Sequence, residues 1–107
     1  MTRTVTMALA GLLALAPGLA AADMAEGKAV YGKKCAACHA ATGEGNAKLG
    51  KMLGVTFRHL GAKEVQARTD GDIKKVVTAG EGKMKGVTGL SVAQVGDVLA
   101  FVRTLKQ

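Results

Sequence analysis

The stretch Cys35-Ala36-Ala37-Cys38-His39 contains both cysteines of the chain and one of its two histidines. Residues three apart on a helical turn share a face, so Cys35 and Cys38 can present their thiols to the same side. His39 follows directly and places an imidazole beside them. Two thiols and an imidazole so close together suit a redox pair, a metal, a disulfide or a covalently attached cofactor. Each of these predicts a different protein.

The sequence favours a covalently attached cofactor over a redox pair, a metal site or a disulfide. A thioredoxin-like redox pair needs a βαβ context, and the chain has no run of alternating β-branched residues that predicts a strand. A structural zinc site needs four ligands, and the one further Cys or His is His59, twenty residues after His39. A disulfide closing so short a loop adds little stability. Cys-x-x-Cys-His is instead the attachment signature of c-type haem, which predicts thioether bonds from Cys35 and Cys38 and axial ligation of the iron by Nε2 of His39.

Residues 1–22 have the layout of a secretory signal peptide. Arg3 supplies a positive charge, Met7–Ala16 is an apolar run, and three alanines end the segment. The apolar run falls short of the about 20 residues that span a bilayer, which disfavours an uncleaved membrane anchor. We predict cleavage before Asp23. The mature domain is then 23–107, in the periplasm or otherwise secreted, without stable insertion in a membrane.

The charge balance of the chain is basic. Fifteen Lys and Arg outnumber eight Asp and Glu, and loss of residues 1–22 removes one of these cations, which leaves a net charge of +6. Such a charge suits an acidic protein, anionic lipid or nucleic acid. Secretion and the presence of only three aromatic residues argue against nucleic acid, because base-stacking surfaces need interleaved aromatics. We predict redox partner proteins that dock through an acidic face, and a monomeric protein.

Helical signals dominate the mature chain and predict an all-α domain. Asp23 is placed to cap a first helix, and Ser91 with Gln94 forms a capping box for the last one. In chain order, the predicted helices are Met24–Lys34, a short one near Lys63–Arg68, one from Thr69 to Gly80, and one from Ser91 to the C-terminus. The glycine-rich stretches 40–60 and 80–89 are predicted as loops. Gly96, inside the last helix, indicates either a close helix–helix approach or a position without consequence.

Together these segments resemble the small, soluble class I cytochromes c, over essentially the whole mature chain. The motifs that carry the resemblance are Gly27-x-x-x-Tyr31, Cys35-Ala-Ala-Cys-His39, Gly43-Glu-Gly45-Asn-Ala-Lys, Gly-Lys-Met84 and Val98-x-x-Phe101-Val-Arg. The resemblance implies a cytochrome c fold, in which crossed N- and C-terminal helices and two or three further short helices surround one covalently attached haem. Gly27 and Tyr31 are then expected to pack on Val98 and Phe101.

The resemblance also implies the second axial ligand, a methionine from the loop before the last helix, which is Met84. Met52, His59 or an open sixth position remain alternatives. Ala47 and Lys85 stand where relatives often have proline, and the mature chain has no proline. The carbonyl of Ala47 is still expected to accept a hydrogen bond from Nδ1–H of the haem histidine, whereas Lys85 leaves the methionine loop less stiff.

Two strong axial ligands leave the iron no position for a substrate. The predicted function is therefore that of an electron carrier and not an enzyme, cycling haem c between Fe(III) and Fe(II) outside the cytoplasm. A haem peroxidase or a gas-binding sensor with a labile sixth ligand is the alternative. Five lysines flank the haem-binding loops and form either a docking ring or ordinary exposed surface: Lys33, Lys34, Lys48, Lys83 and Lys85.

Overall fold

The computed structural model describes Gly11 and residues 21–107, so most of the predicted signal peptide lies outside the described residues. In this part of the chain the helices are Met24–Lys34 (α1), Ala36–His39 (α2), Ala47–Leu53 (α3), Lys63–Gln66 (α4), Asp70–Ala79 (α5) and Val92–Thr104 (α6). The strands Gly80–Glu81 (β1) and Met84–Lys85 (β2) form an antiparallel hairpin. The predicted all-α class is confirmed, and the hairpin is a small addition that the sequence did not predict. None of the helices described is both long and apolar enough to cross a membrane.

The first and last helices, α1 and α6, cross closely, as the resemblance implied. Gly27 is buried at the crossing, where an added Cβ would collide with the backbone carbonyl of Asp97 and contact Phe101. One turn further along α1, the ring of Tyr31 packs on that of Phe101 with the centroids 4.9 Å apart. Val98, only 1% exposed, lies in the same apolar cluster. The crossing therefore depends on the absence of a side chain at position 27.

Side-chain caps begin both helices where the sequence predicted them. The carboxylate of Asp23 accepts a hydrogen bond from the N–H of Glu26 at 3.0 Å. Ser91 and Gln94 exchange the two bonds of a capping box, at 2.9 and 3.1 Å. Gly96 of α6 has nothing within 4 Å of an added Cβ, so it marks no close helix–helix approach. The crossing uses the glycine of α1 instead.

The helix α5 packs on another side of α6. Thr69 caps α5 by accepting a hydrogen bond from the N–H three residues on, at 3.1 Å, and Gly80 ends it with φ 83°, as predicted. Ile73 and Val77 form a second apolar cluster with Leu99 of α6. Two small clusters, one between α1 and α6 and one between α5 and α6, thus contain most of the buried apolar residues of the described chain.

Residues 47–53 form a helix inside a stretch predicted as loop. Asn46 begins α3, because its side chain accepts a hydrogen bond from the N–H of Leu49 at 3.0 Å. Gly54 ends it in the left-handed conformation, with φ 67°. The internal Gly50 lowers the helix propensity of so short a segment, and this concealed the helix in the sequence.

The hairpin β1–β2 presents Met84 shortly before α6. Its register places Met84 opposite Glu81. The guanidinium of Arg68 donates two hydrogen bonds to the Glu81 carboxylate, at 2.8 and 3.0 Å, which attaches β1 to the segment before α5. Nζ of Lys83 donates to the backbone carbonyl of Leu53 at 2.8 Å, which attaches the turn to the end of α3. Side chains thus hold the hairpin at two points.

Candidate haem-binding site

The segment from Cys35 to His39 forms a separate single turn of helix. The helix α1 ends at Lys34 because Cys35 has left helical geometry, with φ −121°. The N–H groups of Cys38 and His39 both donate to the carbonyl of Cys35, at 3.2 and 2.9 Å. Both thiols and the imidazole therefore leave the backbone from the same closed turn.

Both cysteines are free thiols of intermediate burial. Burial raises the pKa of Cys35, and the neighbouring Cys38 raises it further. A cysteine that acts as a redox nucleophile needs a lowered pKa, so the raised pKa of Cys35 disfavours a redox pair. In residues 21–107 no three His, Cys, Asp or Glu side chains cluster as a metal site, so a four-ligand zinc site has no counterpart there.

The imidazole of His39 is held partly buried and uncharged. Burial lowers its pKa, so at neutral pH the ring keeps a lone pair that can bind a metal. The ring of Phe57 packs edge-on against it with the centroids 5.7 Å apart. Gly45 and Gly50 make room for Phe57, since a Cβ at either position would contact its side chain. Sequence reasoning missed this role of Phe57, whose only signal is its isolation in a glycine-rich stretch.

Nδ1 of His39 is buried and has no hydrogen-bond partner among the described residues. The expected bond to the carbonyl of Ala47 is therefore not formed. Ala47 is the first residue of α3, so its carbonyl points along that helix toward the N–H of Lys51. A buried, unpaired ring nitrogen does nothing to stabilise the fold.

The chain after the turn folds back and holds it in place. Ala40 has φ 62° and ψ 168°, a region almost confined to glycine. Its carbonyl accepts a 2.6 Å hydrogen bond from the hydroxyl of Tyr31, whose pKa burial raises to about 12. The N–H of Gly45 donates to the carbonyl of His39 at 2.8 Å. Hydrogen bonds from α1 and from the following loop thus fix the backbone around His39.

The three candidates for the second axial ligand lie in different settings. Met84 is partly buried on β2, in the hairpin held by Arg68 and Lys83. Met52 is 75% exposed on α3. Nδ1 of His59 accepts a hydrogen bond from the N–H of the nearby Gly61 at 2.9 Å. This favours Met84, whose role as a ligand stays a prediction.

The residues present fit a covalently attached haem. Two free thiols on one turn are the groups that would form thioether bonds with a haem. The neutral imidazole of His39 would serve as a strong ligand for the iron, and the thioether of Met84 would serve as a soft one.

Comparison with known proteins agrees with this chemistry. The family model for cytochrome c matches residues 24–106. The solved structure of the c-type cytochrome KustC0563 aligns with a TM-score of 0.64 and 26% sequence identity, over 76% of this chain and 98% of that one. No match was found among curated proteins. Since the family model spans most of the chain and the solved structure shares its fold, this chain belongs to the cytochrome c family, as a class I c-type cytochrome with one covalently attached haem c.

Proposed function

We propose that this protein is an extracytoplasmic electron carrier that passes single electrons between redox partner proteins. Its family supports haem-based electron transfer as the general function. Haem c, when bound, supplies an iron that alternates between Fe(III) and Fe(II). In this proposal Cys35 and Cys38 attach the haem, His39 is the proximal axial ligand, and Met84 is the distal one.

The observation that carries the proposal is that hydrogen bonds from other parts of the chain attach both ligand segments to the fold. The turn of His39 is held by hydrogen bonds from Gly45 and Tyr31, and the hairpin of Met84 by those from Arg68 and Lys83. Ligands on well-supported segments keep their positions when the charge of the site changes. That property suits a carrier, whereas a peroxidase or a gas sensor needs a ligand that leaves.

The optical spectrum of the oxidised protein tests this function. The wild type is expected to show the weak band at the red end of the visible range that marks Met–Fe(III) ligation. Met84→Ala should lose this band and become high-spin, and the matched control Met52→Ala should keep it. A high-spin wild-type spectrum would contradict the carrier and support the peroxidase or gas sensor.

Extraction with acidic organic solvent tests the attachment. Cys35→Ser and Cys38→Ser should each leave one thioether bond, because each removes one thiol. The double variant should release its haem into the solvent, whereas the wild type should retain it. Haem that stays with the double variant would show that other residues attach it.

We further propose that residues 1–22 are removed on export and that 23–107 acts as a monomer in the periplasm or an equivalent compartment. Membership of the c-type cytochromes supports an extracytoplasmic site. The five lysines that flank the haem-binding loops are all exposed, which supports docking to an acidic face of the partner.

A further inference from the structure

We propose that removal of the signal peptide creates an ion pair between the new N-terminal ammonium of Asp23 and the carboxylate of Asp97. This ion pair is separate from electron transfer and rests on the predicted cleavage between Ala22 and Asp23. The backbone N–H of Asp23 donates to Oδ1 of Asp97 at 2.8 Å, across 74 positions of the chain. Cleavage converts this donor from an amide to a primary ammonium.

Asp97 is a carboxylate in need of a counter-charge. It is 9% exposed at the crossing of α1 and α6, where its backbone carbonyl faces Gly27. Within residues 21–107 no Lys or Arg nitrogen lies within 4.0 Å of its carboxylate oxygens. A buried carboxylate whose donor is a neutral amide is poorly compensated. An ammonium at the same position supplies a positive charge and up to three donors, so the processed chain stabilises Asp97 better than its precursor.

The charged groups around this pair come from three elements. The start of α1 supplies the carboxylates of Asp23 and Glu26. The groove between α5 and α6 that Ala22 and Asp97 border also contains Asp70, Lys74 and Arg103. Arg103 is already paired with Asp70, at 2.8 Å. The positive end of the α1 dipole repels an ammonium, and the negative charges of the Asp23 and Asp97 carboxylates offset this repulsion.

The pH dependence of the ion pair follows from the free amine. An unperturbed α-amino group has a pKa of roughly 7.7–8.0. Pairing with Asp97 raises this pKa in the folded state. The stabilisation is therefore complete below that range and is lost as the pH rises through the higher pKa of the folded state.

Two forms of the exported holoprotein test the ion pair. Mass spectrometry of the first is expected to show a chain that begins at Asp23. The second form carries one valine inserted before Asp23, so the donating nitrogen remains an amide. Asp97→Asn is introduced into both, and Glu64→Gln, which removes an exposed carboxylate on α4, is the control. Urea unfolding of the reduced proteins is then compared at about pH 6.5 and about pH 10, on either side of the α-amino range.

Near neutral pH, Asp97→Asn should lower the folding equilibrium constant about tenfold more in the processed form than in the extended form, because hydrogen bonds to a charged donor are the stronger ones. This difference should disappear at the higher pH, and Glu64→Gln should show none at either. Equal effects of Asp97→Asn in both forms would overturn the ion pair. An N-terminus other than Asp23 would overturn the cleavage and the pair together. In either case the haem spectrum would be unchanged, so a failure of the ion-pair proposal can be distinguished from a failure of the proposed electron-carrier function.

Discussion

At the scale of single residues, Ala40 is where the backbone of the haem segment is strained. Its φ of 62° with ψ of 168° is a combination that costs a non-glycine residue about 1–3 kcal/mol. Ala40 persists there because its carbonyl accepts the Tyr31 hydroxyl and because the chain must reverse directly after His39. The strain is thus a consequence of how the imidazole is held.

Ala40→Gly should therefore stabilise the protein. Glycine adopts this conformation without strain, which stabilises the folded state. It also gives the unfolded chain more freedom, which lowers the stability by about 0.5–1 kcal/mol, so we expect a net increase of about 1 kcal/mol in the free energy of unfolding. Urea denaturation measures it. Ala37→Gly, on the exposed side of the same turn, is the matched control and should destabilise the protein. Equal losses in both variants would show that Ala40 is not strained.

Much of the haem segment could be predicted from its residues, but not its surroundings. The spacing of Cys35, Cys38 and His39 requires only a local turn, which is why sequence alone was enough to propose their chemistry. The partner of Nδ1 depends on where a neighbouring helix begins. Because Asn46 caps α3, the carbonyl of Ala47 belongs to that helix, and the bond that the resemblance implied is missing.

At the scale of helices and strands, two glycines give opposite predictions. Gly27→Ala should destabilise the protein by about 2–3 kcal/mol, because the new methyl group meets the backbone of Asp97 and α1 must shift away from α6. Gly96→Ala should stabilise it by up to about 1 kcal/mol, because open space surrounds that position of α6. Thermal or urea unfolding of the two variants measures both changes in stability. If Gly27→Ala lowers the stability only slightly, the crossing of α1 and α6 tolerates a wider separation of the two helices.

Capped helices were predictable and the shortest elements were not. Ser91 and Thr69 cap their helices through side-chain bonds to backbone three residues away, and such bonds depend only on local sequence. The strands of the hairpin contain two residues each, too few for an alternating pattern to develop. Contacts with other elements accompany them instead, among them the bond between Arg68 and Glu81.

The hairpin sets how readily the proposed ligand Met84 can be replaced. A lysine amine competes for Fe(III) only after losing its proton, which becomes easier as the pH approaches about 10.4. Both lysines are exposed, but the amine of Lys83 donates to the carbonyl of Leu53, whereas that of Lys85 makes no ion pair within residues 21–107. We expect Lys85 to replace Met84 in the oxidised protein at alkaline pH, while the reduced protein keeps Met84.

Titration of the Met–Fe(III) band measures this replacement. Lys85→Gln should raise the midpoint, because it removes the competing amine. Lys83→Gln and Glu81→Gln should each lower it by less than about one pH unit, since exposed polar pairs contribute little and both variants only loosen the hairpin. If the midpoint of Lys85→Gln equals that of the wild type, a residue other than Lys85 replaces Met84.

At the scale of the whole molecule, charge is the property that governs encounters. The mature domain predicted from the sequence carries a net charge of +6. Within residues 21–107, all three ion pairs join a carboxylate to Arg68 or Arg103, and none involves a lysine. The exposed lysines near the haem-binding segments are therefore available to an approaching anionic surface. This electrostatic attraction acts before any specific contact forms, so it affects the association rate more than the stability of the complex.

Electron exchange with an acidic redox protein should accordingly slow as salt is added. The Debye length falls from about 10 Å at 0.1 M to about 3 Å at 1 M ionic strength, which screens the attraction between exposed charges. Stopped-flow measurement of the second-order rate across that range tests this directly. Lys33→Gln and Lys85→Gln should reduce both the second-order rate at low salt and its salt dependence. The control Lys74→Gln removes one positive charge from the α5–α6 groove, so it should reduce the rate less if docking is confined to the haem-binding segments. Equal effects of all three variants would mean that net charge alone attracts the partner, and a rate independent of salt would show that the partner does not dock through an acidic face.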